Sequence, residues 1–259
     1  MDIYFEIIIF LIGIIFGSFF NVCIFRIPNN KSISYPPSHC YRCNTRLKGI
    51  DLMPILSWLL LKGKCRYCKS KISIRYPLIE LLTGIVFVAI YKSYGFNLML
   101  VYYLVLASIL IIITFIDIDF YIISDSLIII GLIFGIAFKV LNHMYIIQGV
   151  LGLLVCGGGM YILISFIENV VKKEVMGGGD IKLFAMIGFF LGVRLGLLTI
   201  LLSIYVGAIY GVITITYSKL KLKSYNSIMP YGPFISIAAF ISIIYGENII
   251  KWYVRIFMM

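Results

Sequence analysis

Charged residues are scarce in this sequence of 259 residues. Only 13% of the residues are Asp, Glu, Lys or Arg, whereas 62% are hydrophobic and the mean hydropathy is +1.06. Soluble globular domains have about 25% charged and about 45–50% apolar residues, so the composition excludes a soluble domain. Disordered, collagen-like and small disulfide-stapled proteins are excluded on the same grounds. The composition therefore predicts a protein that crosses a membrane several times.

The sequence also lacks the alternation of polar and apolar residues that marks the strands of a membrane barrel. Its apolar segments run unbroken for roughly the 20 residues that a membrane-spanning helix needs. We therefore predict an all-α polytopic membrane protein with about eight transmembrane helices. The predicted helices span residues 4–25, 77–93, 97–116, 126–142, 145–168, 181–193, 195–217 and 231–247.

The first apolar segment has neither the basic start nor the small-residue cleavage site of a signal peptide. It carries Asp2 and Glu6 instead, so we expect a helix that is retained. The predicted organisation is a first transmembrane helix over 1–25, a polar insert over 26–76 and a membrane-embedded domain over 77–259.

The net charge of +11 lies mostly in the loops between apolar segments. Successive loops must lie on alternate sides of the membrane. This assignment places 17 of the 22 Lys and Arg residues on one side, eleven of them between Arg26 and Arg75. Because basic loops remain in the cytosol, this asymmetry predicts a cytosolic insert, a cytosolic loop at 218–230 and termini on the outer side. Membrane topology thus explains the charge, and we expect no nucleic-acid partner.

Four of the six cysteines form two C-x-x-C pairs in the insert. Cys40 and Cys43 are separated by 21 residues from Cys65 and Cys68, which is close to the spacing of a four-cysteine zinc site. An insert of this size has little core of its own, so a structural metal would contribute much to its folding. The alternative is four thiols without a metal.

Four of the eleven acidic residues cluster at the predicted cytosolic ends of helices. Asp125 precedes an apolar segment and is predicted to cap that helix, and Asp119 is predicted to be solvated or to support a neighbour. Asp117 ends one predicted helix and Asp180 begins another on the same side. Ionisable groups at the membrane boundary are costly enough to indicate function.

Two carboxylates at one depth suggest a dyad that shares a proton and activates water. Gly177, Gly178 and Gly179 precede Asp180, and their backbone would let an extended peptide substrate approach closely. Two alternatives remain open from the residues alone. The aspartates could relay protons or cations in a transporter, or the glycines could form a hinge beside a capping aspartate.

Several motifs, in order along residues 17–240, resemble those of the type IV prepilin peptidase family. The motifs are Gly17–Val22 with Arg26 and Pro28, the two C-x-x-C pairs, Ser73–Pro77 with Glu80, Ile116-Asp117 with Asp125, Gly177–Leu183 with Ala185 and Gly188, and Pro230–Pro233. Ser124 is a departure, because a proline commonly stands there in the family.

The resemblance implies that Asp117 and Asp180 are the catalytic aspartates of a G-x-G-D intramembrane protease within 77–259. It also implies that Cys40, Cys43, Cys65 and Cys68 hold structural zinc in the 26–76 domain. A second implied activity is N-methylation of the new N-terminus with S-adenosylmethionine, for which the sequence indicates no binding residues.

The resemblance further implies the partners and the location. The substrates would be type IV prepilins and pilin-like precursors, cut at the cytosolic face of the cell's inner membrane. Two other classes of function remain as alternatives. One is a proton- or ion-coupled transporter, and the other is a zinc-dependent assembly factor without catalysis.

Overall fold

The computed structural model describes residues 2–221 and 229–257. Within these ranges the chain is helical, and its extended pairings are two isolated bridges, His39 with Arg46 and Lys64 with Lys71. The predicted all-α class is therefore confirmed. The chain divides into two compact units, Met1–Ile112 and Ile113–Met259.

Nine α-helices make up most of the described chain. They are α1 Asp2–Arg26, α2 Leu56–Leu60, α3 Arg75–Tyr94, α4 Leu98–Phe120, α5 Asp125–Leu141, α6 Ile146–Leu153, α7 Gly159–Val171, α8 Gly178–Lys221 and α9 Gly232–Phe257. A 3₁₀ turn occupies Gly49–Leu52, and a π-helical segment, Leu154–Gly158, joins α6 to α7.

Six helical segments in the described ranges are long and apolar enough to cross a membrane. They are Ile3–Arg26, Arg75–Tyr94, Leu98–Phe120, Ile146–Val171, Gly178–Thr216 and Gly232–Ile256. The prediction of a multi-pass membrane protein is thus confirmed at this level. The helices predicted at 181–193 and 195–217 both lie within α8, which is broken at Gly192, where φ is 75°.

The helix ends follow from local chemistry. Gly95, with φ of 64°, ends α3 by donating its N–H to the Tyr91 carbonyl. The Asn97 side chain then accepts the N–H of Leu100 at 3.0 Å and caps α4. At the other end of α4, Tyr121 adopts a left-handed conformation and donates its N–H to the Asp117 carbonyl at 2.9 Å. Asp117 therefore lies one turn from the end of a well-defined helix.

In the first unit, α1 and α3 pack closely because glycines face each other. A Cβ on Gly13 would lie 2.7 Å from the Cα of Gly84, and one on Gly17 would lie 2.7 Å from the Cα of Glu80. Small residues four apart are a common basis of helix packing in membranes. Within the insert, the indole N–H of Trp58 donates to the Ile72 carbonyl and joins α2 to the segment that precedes α3.

In the second unit, α8 packs against α5, α6, the π-helical segment and α9. Backbone approach is closest at Gly152, where a Cβ would overlap the Gly188 carbonyl. Ile116 of α4 and Leu183 of α8 are fully buried. Ile116 directly precedes Asp117, and Leu183 lies three residues after Asp180, so both aspartates are next to buried positions.

Two predicted boundaries differ from the structure. The predicted loop at 218–230 begins later, because α8 continues to Lys221, and residues 222–228 lie outside the described part of the chain. The helix predicted to end at 247 continues to Phe257. Gly246 lies inside this helix and leaves space for Leu195 of α8, whose Cδ2 would lie 2.6 Å from a Cβ.

Candidate active site and metal centre

Asp117 is a buried carboxyl group near the end of α4, with 5% of its surface exposed. Its Oδ2 accepts the backbone N–H of Gly232, the first residue of α9, at 2.7 Å. A charged acceptor and a fixed backbone donor form one of the stronger types of hydrogen bond. The side chain of Asp117 is therefore held in one orientation by a residue far away in the sequence.

Gly232 approaches Asp117 so closely that a side chain at this position would displace the carboxyl group. A Cβ at this position would lie 2.8 Å from Oδ2 of Asp117 and 3.2 Å from its Cβ. Gly232 belongs to the Pro230–Pro233 motif noted in the sequence, but its residue type alone predicts no role for it. Its role as a positioning residue is visible only in the structure.

Asp180 lies in the first turn of α8 and is half-buried. Its N–H donates to the Gly177 carbonyl at 3.0 Å, which closes the turn that precedes the helix. This is the arrangement that the sequence predicts, with the glycines leading directly into the helix that carries the carboxylate. The free N–H groups of a helix start favour negative charge nearby.

Asp117 and Asp180 line the same cavity, which has a volume of about 310 Å³. Asp119 is exposed and does not line this cavity. The other lining residues are Tyr121, Ile122, Ile123, Asp125, Gly177, Gly179 and Lys182.

The three glycines before Asp180 have different surroundings. A Cβ on Gly178 would meet no atom within 4 Å, so nothing in the described chain fills the space beside it. A Cβ on Gly179 would lie 2.9 Å from the Cβ of Ile123, and one on Gly177 would lie 3.2 Å from Oδ2 of Asp180. Gly177 and Gly179 line the cavity, whereas Gly178 does not.

Asp125 does not cap α5 as predicted. Ser124 holds the N-cap position, and Asp125 lies in the first turn with its carboxylate directed to Lys182. The ammonium group of Lys182 donates to both oxygens of Asp125, at 2.8 and 2.9 Å. The predicted capping role failed because the partner of Asp125 is Lys182 of α8, which lies 57 residues further along the sequence. Both side chains are more than half exposed, so the ion pair contributes little stability.

The four cysteines of the insert converge. Their Sγ atoms all lie within 4.8 Å of one another, and those of Cys40 and Cys68 are 3.8 Å apart. Four sulfurs at a zinc–sulfur distance of about 2.3 Å in a tetrahedron would be about 3.8 Å apart. None of the six cysteines, all of which lie in the described ranges, forms a disulfide.

Both cysteine pairs sit on the same kind of backbone turn. The N–H of Asn44 donates to the Cys40 carbonyl at 2.8 Å, and that of Lys69 donates to the Cys65 carbonyl at 3.0 Å. Asn44 and Lys69 are both left-handed, with φ of 54° and 57°. The repeated turn points the two sulfurs of each pair to the same side.

The electrostatics of this cluster suit a metal ligand. Backbone N–H groups of Cys43 and Arg42 lower the pKa of the Cys40 thiol to about 6. The thiolate is the form that binds metal, so Cys40 is prepared for ligation. A salt bridge between Asp51 and Arg66 connects the 3₁₀ turn to the second cysteine pair, and it lowers the pKa of the Asp51 carboxyl.

Two family models match the chain. Residues 11–94 match the bacterial peptidase A24 N-terminal domain, and residues 104–212 match the type IV leader peptidase family. The first region includes the four cysteines, and the second includes Asp117 and Asp180.

Relatives similar to this chain include three named prepilin leader peptidase/N-methyltransferase. The one from Bacillus subtilis (strain 168) is 35% identical, over 96% of this chain and 97% of the relative. The one from Aeromonas salmonicida (strain A449) is 32% identical, over 95% of this chain and 92% of the relative. The one from Myxococcus xanthus (strain DK1622) is 37% identical, over 81% of this chain and 63% of the relative. No solved structure matches the chain at a significant level.

Proposed function

The chain belongs to the type IV leader peptidase family, and we propose that it cleaves the leader of prepilin-like precursors and N-methylates the new N-terminus. It is a peptidase that also methylates, as the relatives' names state for them. The observation that carries the peptidase activity is the shared cavity of Asp117 and Asp180. Both aspartates lie in the segment that the leader peptidase model matches.

The proposed catalytic residues are Asp117 and Asp180. One carboxylate removes a proton from a water molecule, which attacks the carbonyl carbon of the scissile bond. The protonated partner donates to the developing oxyanion, so no acyl-enzyme forms. Because Oδ2 of Asp117 accepts the Gly232 N–H, a proton on Asp117 would be carried by Oδ1. Gly232 acts as a positioning residue that aims this carboxyl group.

The glycines before Asp180 admit the extended substrate backbone. The space where a side chain of Gly178 would be is open, although Gly178 does not line the cavity. Gly177 and Gly179 shape the cavity beside the carboxylates. The substrates we propose are type IV prepilins and pilin-like precursors.

We further propose that Cys40, Cys43, Cys65 and Cys68 bind one structural zinc ion. The mutual sulfur distances and the lowered pKa of Cys40 support four-thiolate coordination. When bound, zinc would supply stability to the insert, since a closed set of four thiolates leaves no position for a substrate. The cysteines hold the two turns together, and the aspartates perform the hydrolysis.

The proposed topology has eight spans. Two spans beyond the six long apolar segments would come from α5, with 17 residues, and from α8. The 39 residues of Gly178–Thr216 would extend about 58 Å, nearly twice the thickness of a hydrocarbon core, so the break at Gly192 separates two spans.

The proposed domains are 1–25, 26–76 and 77–259, with the insert and both aspartates on the cytosolic side of the inner membrane.

A single assay tests both activities. The purified full-length chain is incubated with prepilin-like peptides and S-adenosylmethionine, and the products are analysed by mass spectrometry. We expect loss of the leader and, separately, a mass increase of one methyl group on the shortened product. A chain that is folded but produces neither change would contradict the proposed function.

A further inference from the structure

The short helix α2 of the insert presents a row of leucines. Leu56, Leu59 and Leu60 are 53%, 57% and 81% exposed, so the described chain leaves more than half of each uncovered. Positions three and four apart lie on the same side of a helix, so the three side chains form one apolar surface, which we call the leucine face. Contiguous exposed apolar surface marks an interaction site. The proposed activities leave the leucine face without a role.

The opposite side of α2 is attached to the rest of the insert by Trp58. Its indole N–H donates to the Ile72 carbonyl at 3.1 Å. Its ring lies against Gly63, where a Cβ would be 2.9 Å from Cζ2 of the indole. The N–H of Gly63 also donates to the Trp58 carbonyl at 2.8 Å and closes the helix. The helix therefore cannot rotate to bury its leucines without losing these contacts.

Glu80 of α3 sets the depth of α2 relative to the long apolar helices. Its Oε2 accepts the N–H of Ile55, the residue before α2, at 2.7 Å. A Cβ on Gly17 of α1 would lie 2.7 Å from the Cα of Glu80. Glu80 lies five residues inside α3, and Gly17 lies nine residues before the end of α1. At 1.5 Å per residue, the attachment point is about 7 to 14 Å from these helix ends.

This depth is that of a membrane interface. Helices that lie in the interface bury their apolar face about 5–10 Å into the boundary between headgroups and acyl chains. Both α1 and α3 are long and apolar enough to cross a membrane. Because α2 is attached beside their ends, its exposed leucines lie where lipid begins.

The leucine face also points away from the interior of the insert. Glu80 and Leu52 line a second cavity in the first unit, with a volume of about 760 Å³, but none of the three leucines lines it. Ile50 and Met53, which come shortly before α2, are exposed and do not line this cavity either. They add to the apolar surface, which is therefore open to the surroundings of the protein.

Exposed lysines flank this apolar segment along the chain. Lys62 and Lys64 follow α2, and Lys48 precedes the 3₁₀ turn. The one acidic residue between Lys48 and Lys64 is Asp51, whose carboxylate is engaged by Arg66. The segment is therefore apolar in its middle and basic at its ends. This combination fits a membrane surface that contains anionic lipids.

We propose that the leucine face inserts into the cytosolic leaflet of the membrane, with Lys62 and Lys64 at the phosphate groups of anionic lipids. A lipid surface fits better than a protein partner because Phe19 of α1 and Leu78 of α3 are exposed apolar side chains near the same helix ends. The leucine face continues that lipid-facing surface. The bilayer then holds the insert together with α1 and α3. Only the identity of the leaflet rests on the proposed topology.

The test measures the depth of the leucine face by fluorescence. The full-length chain is placed in nanodiscs of equal parts phosphatidylcholine and phosphatidylglycerol, with or without bromine on the acyl chains. The chain has two tryptophans, Trp58 and Trp252. Leu60→Trp is therefore made together with Trp252→Phe, and the Trp252→Phe protein supplies the Trp58 signal for subtraction. The matched control is Tyr67→Trp in the same background, at an exposed position of the second cysteine pair.

We expect brominated lipid to remove most of the fluorescence of Leu60→Trp and little of that of Tyr67→Trp. Quenching of Leu60→Trp by iodide in the buffer, without quenching by brominated lipid, would place the leucine face in water and overturn the proposal. Protection from both quenchers would show that a protein surface covers the face, and it would overturn the proposal as well. Thermal unfolding checks that each variant folds. If Leu60→Trp does not fold, Leu56→Trp replaces it with the same expectations.

The lysines are tested separately through the charge of the lipid. Lys62→Gln combined with Lys64→Gln should reduce the quenching of Leu60→Trp in the anionic nanodiscs, because basic residues near a membrane are attracted to anionic lipids. Lys172→Gln combined with Lys173→Gln is the control, at exposed positions after α7. Equal quenching in both double variants would refute the contact with lipid phosphate.

These measurements separate the membrane contact from the proposed function, because fluorescence quenching requires no turnover. A protein whose leucine face lies in lipid but that neither cleaves nor methylates would refute the proposed function alone. A protein that cleaves precursors while its leucine face lies in water would refute the membrane contact alone.

Discussion

The backbone N–H of Gly232 donates a hydrogen bond of 2.7 Å to Oδ2 of Asp117, although 115 residues separate them in the sequence. The start of α9 thereby orients a carboxyl group at the end of α4. Catalysis by two carboxyl groups requires their geometry to be held closely, since a displacement of about 1 Å can reduce a rate by about 100-fold. The proposed peptidase site thus depends on three helices, α4, α8 and α9.

The aspartate dyad predicts the result of two conservative substitutions. Asp117→Asn and Asp180→Asn should each reduce leader cleavage by about 10²- to 10⁴-fold, because each removes one partner of the acid–base pair. The matched control is Asp119→Asn, an exposed residue two positions from Asp117. Initial rates with a prepilin-like peptide measure the effect. Wild-type rates in either dyad variant, at equal protein concentration, would exclude the dyad.

Gly232→Ala should reduce cleavage by about tenfold or more. The new Cβ would lie 2.8 Å from Oδ2 of Asp117, so the carboxyl group must rotate away from its donor. Gly211→Ala on α8 is the control, because a Cβ there would meet no atom within 4 Å. Both rates are measured alongside thermal unfolding. If the two alanine variants cleave equally fast, Gly232 does not position Asp117.

Gly178→Ala should raise KM for the prepilin-like peptide more than it lowers kcat. The added methyl group contacts nothing within the protein, so an effect on activity reports the approach of the substrate. A loss of roughly tenfold in kcat/KM would correspond to about 1.4 kcal/mol of lost binding. Steady-state kinetics separate the two constants. An unchanged KM would show that the substrate backbone does not pass Gly178.

The purified protein should contain one zinc ion per chain. Cys40→Ser and Cys68→Ser should lower the zinc content and make residues 26–76 sensitive to proteolysis, because the metal joins the two cysteine turns. Cys23→Ala is the control, since Cys23 is buried in α1 away from the cluster. Metal analysis and limited proteolysis measure the two effects. Wild-type protein without zinc, in a metal-replete preparation, would contradict this prediction.

The insert should lose a stabilising contact at low pH. Arg66 lowers the pKa of Asp51 below its value in the unfolded chain, which is about 3.9. The contact therefore stabilises the fold fully above that pH and is lost as the pH falls through the lower, folded-state pKa. Asp51→Asn should lower the unfolding temperature of the insert at pH 7, and the difference from wild type should shrink below about pH 4. A difference that is the same at both pH values would rule out a charge-dependent contact.

Local patterns predicted much of this protein. Apolar segments predicted α1, α3 and α4 to within a few residues, because hydropathy is a property of consecutive residues. The spacing of two C-x-x-C pairs predicted that the four cysteines would cluster, and their sulfurs do lie together. The motifs of the leader peptidase family predicted the family, which the relatives confirm. The catalytic roles of Asp117 and Asp180 and the identity of the metal stay predictions.

Other features were decided by tertiary structure, because they join residues that are far apart in the chain. Asp125 was predicted to cap a helix from its position in the sequence, yet it pairs with Lys182, 57 residues away. The last helix was predicted to end at 247, yet it continues to Phe257, and Gly246 within it accommodates Leu195 of α8.

The sequence by itself predicted the all-α multi-pass class, the cysteine cluster and two aspartates that line one cavity in the structure. Hydropathy and ligand spacing are properties of short segments, and the order of motifs is a property of the sequence. Each can therefore be recognised without a known fold. Only the tertiary structure decided that Gly232 orients Asp117, that Glu80 is buried against Ile55, and that a second cavity forms around it. These contacts require particular helices to meet, and no local pattern specifies which surfaces will do so.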